Sequence, residues 1–133
     1  MQLYELTIHE LRSLLERGEV TAEAVTTSIF ARIRKLEPKV AAYISQSEDS
    51  AKEQARNCDQ RGYRENSAVL AGVPLAVKDV ICCKGIPTTC GSKILADFVP
   101  PFDSTVTEKI KKAGGILLGK TNMDEFAMGS STE

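Results

Sequence analysis

Apolar residues keep helical spacing through the first third of the chain and strand spacing in short runs after it. Ile8, Leu11, Leu14 and Leu15 form one stripe. Thr7 with Glu10 fits a capping box at its start, and Gly18 a stop. Val25, Ile29, Ile33 and Leu36 form a second stripe, with Thr21 as N-cap, Glu23 in the first turn and Glu37-Pro38 as the expected end. The two helices make a hairpin joined through Gly18, Glu19 and Val20. Its apolar stripe needs a larger surface to pack on. Val40–Ile44 reads as a short strand. A third helix is expected from Ser47, with Ala51, Ala55 and Cys58 facing inward and Gly62 ending it, followed by a polar surface loop over Arg61–Ser67.

Pro74–Ile81 is the strongest strand pattern. Cys82–Pro101 follows as a long irregular stretch broken by Gly85, Pro87, Gly91, Pro100 and Pro101. A fourth helix is then expected, capped by Asp103, Ser104 or Thr105, the last pairing with Glu108 in a capping-box pattern. Val106, Ile110 and Ala113 would face inward, and Lys109, Lys111 and Lys112 water. Gly114-Gly115 ends this helix before a buried strand at Ile116–Leu118. Strand, helix, strand predicts parallel pairing through a right-handed crossover. Residues 1–38 form the hairpin and 39–133 the beginning of an α/β core, a single incomplete domain.

Composition removes several function classes. Net charge is −1 and Trp is absent, which argues against binding nucleic acid through bulk charge or an aromatic platform. No apolar run is long enough to span a membrane, and the N-terminus lacks the charge and continuous apolar core of a secretory signal. Cys58, Cys82, Cys83 and Cys90 do not follow zinc-ligand spacing, and the single histidine, His9, lies far from them. Reduced thiols, and hence a cytoplasmic or organellar-matrix protein, are the simplest reading. The cysteines read as small buried residues rather than nucleophiles, because a nucleophile needs a base partner.

The candidate chemistry lies at the end of the Pro74–Ile81 strand. Side chains alternate there, so Val73, Leu75, Val77 and Asp79 share one face and Pro74, Ala76, Lys78 and Val80 the other. Each face carries one charge near the strand's C-terminal end, where open α/β sheets bind ligands. A lysine desolvated there becomes a base; the bland alternative is a strand emerging into water. Gly114–Thr121 fits the phosphate-loop string GxxxxGK[ST]. The order is wrong, because a helix precedes it and Ile116–Leu118 form a strand inside it.

Val73-Pro74-Leu75-Ala76-Val77-Lys78-Asp79, Lys84–Ser92, Phe102–Val106 and Gly119–Glu133 together resemble the amidase signature family. Within it they resemble the glutaminase components, the A subunits, of tRNA-dependent amidotransferases. The resemblance covers essentially the whole chain, and its last fifteen residues are the most specific part. It implies an α/β fold, the N-terminal part of an amidase signature mixed sheet flanked by helices and preceded by the helical hairpin. It implies a Ser–cis-Ser–Lys relay in which Lys78 is the general base. The nucleophilic serine would take glutamine's side-chain acyl group and release ammonia, which a partner subunit uses to convert glutamate on mischarged tRNA to glutamine. Met128, Gly129 and Ser130 would border the substrate pocket. The implied partners are the B and C subunits of the amidotransferase, with tRNA reached through the B subunit. No metal or cofactor is implied on this chain; ATP and Mg are used by the partner subunit. Both family serines lie in segments of GGSSGGS and GSDTGGS type, which do not occur in these residues. The chain is therefore expected to be an N-terminal portion, inactive alone. The alternatives are another amidase signature hydrolase of small amides, or a non-catalytic piece that binds partner subunits.

Overall fold

Helix α1 spans Ile8–Arg17, α2 Ala22–Val40, α3 Glu48–Arg61 and α4 Thr105–Lys112; strands β1, β2 and β3 are Tyr43–Gln46, Pro74–Lys78 and Ile116–Thr121. The structure, a computed structural model, describes residues 2–63 and 68–131. Residues 64–67 of the expected polar loop lie outside that range, and Arg61 closes α3.

The three strands form a mixed sheet in the order β1-β3-β2, with β1 antiparallel and β2 parallel to the central β3. Helix α4 connects the parallel pair, as the strand–helix–strand pattern predicts. Ile116 and Leu118 project to one face, where they join Leu11, Leu15, Val25, Phe30, Ile33, Ala51 and Ala55 in the main core. Leu117 projects to the other and packs with Val77 and Cys83, flanked by Ile81, Ile86 and Ile110.

Local chemistry accounts for most helix ends. Thr7 and Glu10 form the expected capping box. Thr21 caps Ala24 N–H at 3.1 Å. The N-terminus of α2 has a second cap from far along the chain: the Asp59 carboxylate accepts from Ala22 N at 2.8 Å and Glu23 N at 3.1 Å.

Several boundaries differ from expectation. Helix α2 runs through Pro38 to Val40. Pro38 has no N–H to give Arg34 O, yet the helix stops only where Ala41 turns left-handed, its N–H on Glu37 O at 2.9 Å. Strand β1 consequently begins three residues later than expected, at Tyr43, whose N–H donates to the Glu37 carboxylate at 2.7 Å. Strand β2 ends at Lys78 instead of Ile81, because Ile81 N–H turns back onto Lys78 O at 2.9 Å. Strand β3 extends to Thr121. Ser104 alone caps α4, accepting from Thr107 N at 3.2 Å. Asp103 instead accepts from Lys84 N and pairs with Lys111 at 2.6 Å. Thr107, not Val106, is the buried residue of that helix, and Val106 and Ile8 are exposed.

Candidate functional site

The C-terminal ends of β2 and β3 lie at the same end of the sheet because the strands are parallel. Two connections leave there: residues 79–104 after β2 and 122–131 after β3. They are tied together by Phe126 N–H on Cys90 O at 2.9 Å and by the Ser92 hydroxyl on the Glu125 carboxylate. Gly91 fits this junction because a Cβ there would stand 2.8 Å from Met123 O. Cys90, Phe126 and Ala127 hold left-handed backbone at φ 53°, 50° and 58°. Such conformations cost on the order of 1–3 kcal/mol each in non-glycine residues and collect at functional sites.

Lys78 sits at this end as the last residue of β2, paired with Thr121. Its side chain is exposed, and among the described residues it makes no hydrogen bond or ion pair. The desolvation expected of a buried base is therefore not present around Lys78 here. Met128, Gly129 and Ser130 follow the left-handed Phe126-Ala127 pair and are also exposed, Met128 at 82%. They leave from the same end of the sheet, and no hydrogen bond joins them to Lys78.

Among the described residues the buried charges are Asp79 and Lys120, both at 0% exposure. Asp79 Oδ2 accepts from Thr89 N at 3.0 Å, from Gly91 N at 3.3 Å and from the Thr89 hydroxyl. Lys120 Nζ donates to Thr88 Oγ1 at 2.8 Å and lies 3.3 Å from Asp79 Oδ1. That second contact is an ion pair whose angle falls short of a hydrogen bond. The carboxylate therefore gathers the amides of the 88–91 loop on one oxygen and a cation on the other.

Lys120 reaches Asp79 because of an irregularity in the ladder. Leu75 pairs with Leu117 but Ala76 pairs with Gly119, so Leu118 is an extra residue in β3. Simple alternation would put Gly119 and Thr121 on the face of Leu117. The bulge reverses the faces after Leu118 and puts Lys120 beside Val77 and Asp79. Sequence reasoning passed over Lys120 as one letter of the phosphate-loop string. Ile116–Thr121 of that string form β3, so it makes no phosphate loop. A usable signal was present nonetheless, since Ile116–Gly119 followed by Lys120 repeats the pattern of Leu75–Val77 followed by Lys78.

Of the other candidates, Cys90 takes part in this site through its backbone, donating to Asp79 O and accepting from Phe126 N. His9 is exposed on α1. Cys83 is fully buried, with Sγ 3.4 Å from Thr107 Oγ1, whereas Cys58, Cys82 and Cys90 are half-buried; all four are free thiols. No group of three or more metal-ligating side chains occurs among the described residues, and none of their helices is long and apolar enough to cross a membrane.

The amidase family profile matches residues 24–133. Curated glutamyl-tRNA(Gln) amidotransferase A subunits align with the whole chain, at 52% identity over 133 residues in Desulfosudis oleivorans and 51% over 134 in Moorella thermoacetica. The chain spans 27% and 28% of those two proteins, about a quarter of their length. Among solved structures, the glutamyl-tRNA(Gln) amidotransferase A subunit of Thermotoga maritima superposes with a TM-score of 0.77 at 37% identity, covering 99% of this chain and 26% of that one. The peptide amidase of Stenotrophomonas maltophilia superposes at 0.80 with 30% identity, covering 92% of this chain and 26% of that one.

Proposed function

This chain belongs to the amidase family, and on that premise we propose that it is the N-terminal part of the glutaminase subunit of a glutamyl-tRNA(Gln) amidotransferase. Backbone likeness does not choose between amidases, because the peptide amidase superposes as well as the amidotransferase subunit does. The observation that carries the choice is identity near one half along all 133 residues to amidotransferase A subunits, against 30% to the peptide amidase.

In this reading Lys78, placed at the open C-terminal end of β2, is the general base. Its neutral amine takes a proton from a bridging serine, which takes one from the nucleophilic serine; both serines lie outside these residues. The nucleophile attacks glutamine's side-chain carbonyl, the C–N bond breaks, and ammonia leaves with a proton returned through the relay. Water then releases glutamate from the acyl-enzyme. Lys78 is exposed here and its side chain is unengaged among the described residues; the serine-bearing segments are what would enclose it. Met128, Gly129 and Ser130, leaving from the same end, would border the glutamine pocket. The partners are the B and C subunits, with ATP and Mg used by the partner that activates the tRNA-linked glutamate.

Ammonia release from glutamine by a full-length chain carrying these residues, with the B and C subunits present, tests the reading. Lys78→Ala is expected to lower kcat by at least a thousandfold while the complex still assembles. The 133-residue chain alone is expected to release none. Undiminished turnover in Lys78→Ala, or glutamine hydrolysis by the short chain, overturns it.

A further inference from the structure

The relay uses neither Asp79 nor Lys120, yet these are the buried charges immediately behind Lys78. A buried ion pair loses hydration on both partners, and apolar residues of similar volume often stabilise a fold as well or better. Stability alone therefore gives little reason for this pair. Its position gives one. The backbone of Lys78 and Asp79 is held by three bonds: Asp79 N–H donates to Thr121 O at 3.2 Å, Asp79 O accepts from Cys90 N at 3.3 Å, and Lys78 O accepts from Ile81 N at 2.9 Å. The Asp79 carboxylate ties the same point to the Thr89 and Gly91 amides. Among the described residues the Lys78 side chain has no partner of its own, so within them its place is set by this backbone.

We propose that Asp79 is a positioning residue for Lys78, with Lys120 and Thr88 as the clamp that orients its carboxylate. This rests on the reading of Lys78 as the base. Lys120 occupies Oδ1 and leaves Oδ2 aimed at the loop amides, and Thr88 Oγ1 anchors Lys120 while donating to Ile86 O at 3.3 Å. One rigid unit thus joins the end of β3, the 86–91 loop and the backbone that carries Lys78. A proton acceptor works only within hydrogen-bond reach of its donor, and a small displacement of it costs rate more than binding.

The test is glutamine hydrolysis by the full-length chain in its complex, with kcat and KM measured separately. Asp79→Asn/Lys120→Met removes both charges at nearly constant volume. It is expected to melt within a few degrees of the parent, with kcat at least tenfold lower and KM within threefold. Thr88→Val removes only the hydroxyl that anchors Lys120 and is expected to give the same kcat-specific loss on a smaller scale; it serves if the double variant does not fold. Parental kcat in a folded variant, while Lys78→Ala is inactive, overturns the positioning role and leaves the base assignment standing. A loss of kcat that tracks only the melting temperature also overturns it. Turnover retained in Lys78→Ala overturns the base assignment instead.

Discussion

Lys120 Nζ lies 3.3 Å from Asp79 Oδ1 with neither side chain in contact with solvent. Each ion is tolerable because the other is there. Removing one leaves a buried charge unpaired, which costs about 3–5 kcal/mol, whereas removing both costs far less. Lys120→Met alone is therefore expected to lose about that much stability in urea unfolding, and Asp79→Asn/Lys120→Met to recover most of it. Equal losses in the two variants would show that the pairing is not what stabilises the site.

Gly119 lies beside the bulge, paired with Gln46 of β1. A Cβ at this position would stand 2.3 Å from Ser45 O and 2.9 Å from Gln46 Cα, both backbone atoms. No rotamer relieves that contact, so the strands themselves would have to part. Gly119→Ala is expected to cost at least about 2 kcal/mol, measured as a shift in denaturation midpoint. A midpoint within experimental error of the parent would contradict the strand spacing.

Ser104 caps α4, and Thr105 is the first residue inside it. Ser104→Ala is expected to cost about 1 kcal/mol, the usual worth of an N-cap. Thr105→Ala, at an exposed position without a cap bond, is expected to stay within about 0.5 kcal/mol of the parent. The reverse ranking would restore the capping box that the sequence pattern suggests.

Burial, then the hydrogen bond to the Asp59 carboxylate, pushes the Tyr63 phenol above the ordinary tyrosine range. Because the folded value is raised, the folded state keeps the proton longer than the unfolded one. The associated stability is complete below the unfolded value of about 10 and declines as pH rises through the folded value. Urea midpoints are expected to fall more steeply above pH 10 in the parent than in Tyr63→Phe. Burial raises Tyr43 too, so some slope should remain in the variant. Identical slopes in parent and variant would mean that Tyr63 does not contribute.

What the sequence determined by itself is information carried within one or two turns. The Thr7–Glu10 box, the stop at Gly18, α3 and the strand–helix–strand order all depend on neighbours three or four residues apart, where side chains on a helix meet. The Val77-Lys78-Asp79 motif likewise marked the residue proposed as base, although β2 ends at Lys78 and not at the expected Ile81. Tertiary structure decided everything that depends on register and on contacts between distant segments. The Asp59 cap on α2 spans 37 residues, and no local pattern encodes it. The late start of β1 depends on Glu37 reaching Tyr43 N–H after α2 runs on through Pro38. The burial of Lys120 depends on one extra residue in β3, Leu118. A single inserted residue exchanges the two faces of a strand. Strict alternation along β3 would have set Lys120 opposite Leu117, away from Asp79; only the pairing of β3 with β2 sets the two charges together behind Lys78.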